Sequence, residues 1–189
     1  MSPYPFPDFF TTEVWTAFGL VTHYVLFFIH IQSRKVYLAG IMPNPRDAWM
    51  RQVARNLTMA GCDIAGKCRY LIRDRDTKFT VGFDAIFRAA GIEPLKIPAR
   101  SPNLNAFAER FVRSIKDECL DRMILFGEAS LEYAVTQYLE HYHQERTHQS
   151  KDNRLLFPQH PSDPAPRDGP IRCRERLGGT LKFYYKEAA

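Results

Sequence analysis

Tyr70-Leu-Ile-Arg-Asp-Arg-Asp-Thr-Lys-Phe79 joins an apolar run directly to two carboxylates, Asp74 and Asp76. A short apolar run that ends in acids reads as a buried strand whose C-terminal edge carries polar chemistry, the place where ligands gather in open α/β sheets. The residues downstream support an α/β reading. Phe83 to Ala90 reads as a short helix stopped by Gly91, and Ile92 to Ile97 as a strand stopped by Pro98. Upstream, Asp8 to Trp15 is rich in aromatic and β-branched residues and reads as a strand. Tyr24 to Ile31 is apolar without interruption, as a strand buried on both faces must be. Gln32-Ser-Arg34 then turns the chain tightly into Lys35 to Met42, giving an antiparallel hairpin. Pro45 to Ala60 reads as a helix with Asn44 as its cap. Three strands, then helix, strand, helix, strand and helix describe a mixed five-stranded sheet flanked by helices.

Pro102 to Leu120 carries the strongest helical pattern. Ala108, Phe111, Val112, Ile115 and Cys119 form one apolar stripe. Asn105, Glu109, Arg113 and Lys116 share a flank spanning about 80° at about 100° per residue. A second helix, Leu131 to Tyr142, places Leu131, Val135, Tyr138, Leu139 and Tyr142 inward. The domain reading is a core over 1–150 and, over 151–189, a proline-rich linker with a short C-terminal extension in which Leu181-Lys-Phe-Tyr-Tyr185 forms an added strand.

Composition bounds the function. The 189 residues, 45% hydrophobic, suffice for a buried core, and a net charge of +5 suits a polyanionic partner. Four cysteines without a Cys-x-x-Cys pair argue against a disulfide framework and a cysteine zinc module, and fit a reducing cytoplasm. The eight-residue apolar run Tyr24 to Ile31 is too short to span a bilayer, and the N-terminus lacks the basic and apolar regions of a secretion signal. No membrane partner is expected. His141 and His143 are two apart on a helix and point different ways, so no zinc site is expected there.

The acids sort by position. Asp8 lies on the first strand, Asp74 ends the fourth, and Glu109 lies on the helix after the fifth. If the first and fourth strands are neighbours, Asp8 and Asp74 meet, and the long helix can lay Glu109 over the same edge. Three hard oxygen donors suit Mg²⁺ or Mn²⁺, and two such ions about 4 Å apart can serve both oxygens of a phosphodiester displacement. Each residue also has a plain reading. Glu109 can pair with Arg113 one turn on, Asp8 can be a solvated residue, and Lys78, Arg113 and Lys116 can be surface charge.

Asp8, Asp74 and Ser101-Pro-Asn-Leu-Asn-Ala-Phe-Ala-Glu109, with 34 residues between the last two acids, resemble the Asp, Asp, Glu pattern of the retroviral integrase superfamily. The nearer likeness is to bacterial insertion-sequence transposases with an integrase core. It covers roughly residues 8–150, including the tail His141-Tyr-His-x-x-Arg146-x-His148. The resemblance implies a ribonuclease H-like fold, with Asp8, Asp74 and Glu109 as catalytic residues holding two Mg²⁺ or Mn²⁺ ions. It implies cleavage and strand transfer of DNA without a covalent protein intermediate, in a bacterial cytoplasm at the nucleoid. Element ends and target DNA are the implied partners, in a homodimer or higher oligomer. Lys78, Asn105, Arg113 and Lys116 are the DNA-contacting candidates. Asp76 stands where the pattern usually has glycine, and reads as a turn residue.

Two departures keep rival readings open. Pro3, Pro5 and Pro7 precede Asp8 and remove donors from the first strand, predicting a frayed start. No helix-turn-helix fits between Met1 and Asp8. The rivals are a truncated, inactive relic that keeps only DNA binding, and a ribonuclease H-like nuclease acting by hydrolysis alone.

Overall fold

The computed structural model describes residues 5–59, 68–98, 105–148, 151–158 and 169–186. Strands β1 (Pro5–Thr16), β2 (Gly19–His30) and β3 (Val36–Met42) form an antiparallel sheet in the order β1-β2-β3. Helix α1 (Asp47–Thr58) follows, then β4 (Tyr70–Arg73), α2 (Val81–Ala89) and β5 (Glu93–Lys96), with β4 and β5 paired in parallel. Helices α3 (Ala106–Glu118) and α4 (Gly127–Gln144) complete the core, and β6 (Ile171–Arg176) and β7 (Leu181–Lys186) form a separate antiparallel hairpin.

The apolar alternation of β2 sets the layers. Val25, Phe27 and Ile29 face a cluster built with Ala108, Phe111 and Ile115 of α3 and Leu131, Val135, Tyr138 and Tyr142 of α4. Leu26 and Phe28 face the opposite cluster, with Met50, Val53 and Leu57 of α1 and Phe83 and Phe87 of α2. Burial on both sides is why β2 reads as an unbroken apolar run. Phe111 lies 4.9 Å from the Phe27 ring and 5.2 Å from Tyr142, and burying a side chain of that size contributes about 2–3 kcal/mol.

The expected five strands are present in a mixed α/β architecture, but in two hydrogen-bonded sets, β1-β2-β3 and β4-β5. β4 lies beside β1. The prolines supply the reason. Phe9 donates its N–H to the carboxylate of Asp8 at 2.8 Å and not to β2, and alternation points the Pro5 and Pro7 nitrogens the same way. From Pro5 to Phe9 the β1 edge away from β2 therefore offers no free donor. The frayed start is corrected for the same reason: β1 pairs with β2 from Pro5↔His30 onward, because the prolines cost that ladder nothing.

Helix boundaries also shift. α1 begins at Asp47, with Met50 N–H closing the first turn on Arg46 O, and not at Pro45 under an Asn44 cap. α2 begins at Val81 because the Thr80 hydroxyl accepts Phe83 N–H, a cap contributing about 1 kcal/mol. Pro102, Asn103 and Leu104, expected in the first turn of the long helix, lie outside the described residues. The extension holds two strands where one was expected. Arg174 and Arg176 of β6 ion-pair with Glu145 at the end of α4, and Leu181 of β7 is buried in the α3–α4 cluster.

Candidate active site

The residues of the RDRDTKF stretch divide by alternation across β4. Leu71 packs with the α1–α2 cluster, and Arg73 is fully buried on that side, its guanidinium bound to both carboxylate oxygens of Asp84 in α2 at 2.8 and 2.5 Å. Ile72 packs with the other cluster, and Asp74 follows it on the α3 side. Arg73 also donates to the Asp74 carbonyl at 3.1 Å, so the buried pair positions the backbone that carries Asp74. This pair was not anticipated from the sequence. An acid four residues after the Thr80 cap would ordinarily read as a solvated helix residue.

The loop closes on its own side chains. Asp74 accepts Asp76 N–H at 3.0 Å, and Asp76 accepts both the N–H of Lys78, at 2.9 Å, and its ammonium, at 2.7 Å. Arg75 reaches the Ile97 carbonyl at the end of β5. Asp76 thus does the work of a turn residue, as its Asx geometry requires. Lys78 is held by Asp76 and lies over the rings of Phe9 and Tyr24, at 5.2 and 5.0 Å.

Asp8 alternates with Phe6 and Phe10, which face α3 and α4, so its carboxyl enters the same layer from β1. Burial, and next the negative charge of Asp74, push its pKa up to about 7 against the opposing hydrogen bonds from Phe9 N–H and the Asn105 side chain. Burial also raises the pKa of Asp74, with Asp76 adding to the rise while the Asp76 N–H, Arg73 and Lys78 oppose it. Two carboxyls whose pKa values both rise, with the charge of Asp74 adding to the rise at Asp8, form a site short of positive charge. Asn105, at the start of α3, turns its side chain to Asp8, and its Oδ1 is buried without a hydrogen-bond partner.

Glu109 lies in the first turn of α3, exposed, with its N–H bound to Asn105 O at 3.0 Å. It makes no ion pair with Arg113 among the described residues. Nor does it join Asp8 and Asp74: among the described residues no group of three or more His, Cys, Asp or Glu side chains is arranged to hold a metal ion. Arg113 is exposed, and Lys116 is half-buried beside Thr11, Thr12 and Glu13 of β1. The structure therefore brings Asp8, Asp74 and Asn105 together, sets Asp76 and Lys78 at their border, and leaves Glu109, Arg113 and Lys116 on the outer part of α3.

The donors present fit a divalent cation. Asp8 and Asp74 offer hard carboxyl oxygens whose charge is only partly met by Arg73 and Lys78, and the orphaned Oδ1 of Asn105 is a third, neutral oxygen donor. The histidines of the C-terminal tail are engaged elsewhere. His143 Nε2 accepts Val36 N–H at 2.9 Å, His141 Nδ1 meets Glu145 at 3.1 Å, and His148 bonds the Tyr142 carbonyl. Arg146 forks onto Glu118 of α3 at 2.7 and 2.9 Å. No helix among the described residues is long and apolar enough to cross a membrane.

No curated protein sequence matches the chain. The structure is similar to the HTLV-2 integrase catalytic core domain, described in complex with magnesium and in a dimeric form, with a TM-score of 0.59 at 11% identity over 82% of this chain and 95% of that one. The BIV integrase catalytic core domain is similar with a TM-score of 0.55 at 16% identity, over 78% of this chain and 88% of that one. A chain of the simian T-cell lymphotropic virus intasome, in complex with PP2A regulatory subunit B56 gamma, is similar over 97% of this chain and 66% of that one, with a TM-score of 0.59 at 12% identity. The fold is thus the ribonuclease H-like fold of retroviral integrase cores. Residues 90–154, which include β5, α3, α4 and the Arg146-x-His148 tail, match the integrase core domain family model.

Proposed function

We propose that the chain is the catalytic core of an insertion-sequence transposase that cleaves DNA and transfers the cut strand, using divalent ions held by Asp8, Asp74 and Glu109. The observation that carries this reading is the convergence of Asp8 and Asp74 on the face of the sheet that α3 covers, each with a raised pKa. Asp8, with a pKa near 7, gives up its proton as a cation enters, so ion affinity rises with pH across neutrality. Asn105 orients the Asp8 carboxyl, and the Arg73–Asp84 pair holds the backbone of Asp74. Glu109, exposed in the first turn of α3 and without an ion pair among the described residues, would supply the third carboxylate to such ions. The chemistry supplied by such ions when bound is activation of the attacking oxygen and stabilisation of the leaving oxygen of a phosphodiester. Arg113 and Lys116 hold backbone phosphates over the acids, and Lys78 limits the charge of the acidic loop through Asp76. Residues 1–150 form the core and 151–189 the extension. Element ends and target DNA are the substrates, and joining two ends calls for a dimer or higher oligomer.

The rival is a chain that keeps the fold and DNA affinity without turnover, favoured by the separation of Glu109 from the other two acids among the described residues. Calorimetric titration of Mn²⁺ separates the two. The catalytic reading expects binding that weakens at least tenfold in Asp8→Asn, Asp74→Asn and Glu109→Gln and hardly changes in Asp76→Asn. It also expects metal-dependent nicking and joining of a DNA 3′-hydroxyl. Mn²⁺ binding indifferent to Glu109→Gln, with no nicking, establishes the inactive reading. Nicking with water but never with a 3′-hydroxyl establishes a hydrolytic nuclease.

A further inference from the structure

Away from the acids, the β2–β3 turn, the outer side of α3 and the end of α4 enclose a cavity of about 760 Å³ lined by three arginines, Arg34, Arg110 and Arg146. Their charges are not equally met. Arg146 is neutralised by its fork onto Glu118. Arg34 stacks on the Phe107 ring, 3.2 Å from its centre, and Arg110 approaches the same ring at 5.7 Å. Two guanidinium groups thus crowd one aromatic ring. Neither makes an ion pair among the described residues, although one hydrogen bond ties Arg34 to the Ile31 carbonyl. The Nε–H of Arg34 is buried with no acceptor, a donor that folding strips of water without replacement. Arg34 also holds a φ of +65°, a left-handed turn position that glycine or asparagine occupies with less strain. The orphaned donor and the two crowded cations lack the same thing, an anion with several acceptor oxygens.

We propose that this pocket is a phosphate site that grips the backbone of DNA outside the metal centre. Planar guanidinium forks match phosphate oxygens, and Ser114 Oγ, already 3.4 Å from Arg146, adds a hydroxyl to the wall. The source of the phosphate is argued from α3. At about 100° per residue Arg110 lies about 60° from Arg113 and about 40° from Ser114, so exposed arginines lead across the helix from the Glu109 flank to the cavity. A duplex carries one charge per about 1.7 Å of its axis and can touch both sides of such a band at once. The choice of DNA rests on the function proposed above; the phosphate chemistry does not.

Two variants test it, measured on duplex DNA in EDTA so that the metal centre plays no part. Arg34→Lys keeps the charge and removes the orphaned Nε–H, while Arg110→Gln removes an exposed charge without touching the core. Each is expected to weaken duplex binding about five- to tenfold with Mn²⁺ binding unchanged. Arg110→Gln alone should also lower the slope of log affinity against log salt by about 0.9. Inorganic phosphate should shift the Arg34 Nε–H resonance of the wild type. Unchanged duplex affinity in both variants overturns the proposal. So does a phosphate-induced shift without any loss of duplex affinity, which assigns the pocket to a small phosphate ligand. Loss of Mn²⁺ binding or of nicking in the wild type defeats the catalytic reading and leaves this measurement intact.

Discussion

The acid edge and the α4 clasp are built from the same residue types and end in opposite electrostatic states. At the clasp, Glu145 is buried yet meets Arg174 at 3.2 Å, Arg176 at 2.8 Å and His141 at 3.1 Å, and Arg176 also reaches Glu140. Burial alone would raise the Glu145 pKa, but the hydrogen bonds and charges of these partners override it and hold it down to about 2. At the edge, Asp8 is half-buried near Asp74, and its pKa goes up to about 7. Carboxylates met by cations join parts of the chain; carboxylates that meet each other are available to a ligand.

The largest effect is expected where a satisfied charge is stripped of its partner. Asp84→Ala leaves the Arg73 guanidinium buried and unpaired and should cost about 3–5 kcal/mol in urea unfolding, with Mn²⁺ affinity falling as Asp74 loses its support. If Asp84→Ala were as stable as wild type, the buried pair would not be what fixes the end of β4.

Glu145→Gln is expected to cost about 2–3 kcal/mol at pH 7 and to release the β6–β7 hairpin to proteolysis first. Because the folded pKa of Glu145 lies below its ordinary 4.5, its contribution is complete above pH 4.5 and is lost as pH falls toward about 2. The variant should therefore lose the acid limb of the stability profile in that window.

Asp8 predicts the opposite slope. Its folded pKa lies above 3.8, so the folded state binds the extra proton, and stability should fall as pH rises from 3.8 to about 7, by on the order of 2 kcal/mol. Asp8→Asn should remove that decline and be more stable than wild type at pH 8, and saturating Mn²⁺ should flatten the wild-type profile at the same pH. A wild-type profile that falls no more than that of Asp8→Asn through this window would mean that the Asp8 carboxyl is not shielded from water at this edge. The smallest effect belongs to Asp76→Asn, within about 0.5 kcal/mol, because the amide keeps the turn bond to Lys78 N–H and only a half-exposed ion pair is lost.

Much of this was legible in the chain because it depends on periods and punctuation. The run Tyr24 to Ile31 announces a strand buried twice, and the stripe Ala108, Phe111, Ile115 does lie inward. What failed was reading through a local rule that has two outcomes. Proline removes a donor, but whether it breaks a strand depends on which edge the nitrogen faces, and Pro5 and Pro7 face away from β2. The C-terminal arginines gave no signal because their partner, Glu145, lies 29 and 31 residues away.

By itself the sequence determined which residues can lie on one face of a strand or helix, since alternation and the 100° helical step are local properties of the backbone, and so it singled out Asp8, Asp74 and Glu109 as candidates. Only the tertiary structure decided which of them meet. Asp8 and Asp74 converge because β1 and β4 lie side by side, while Glu109 stays on the exposed side of α3, and no local rule contains the distance between elements far apart in the chain.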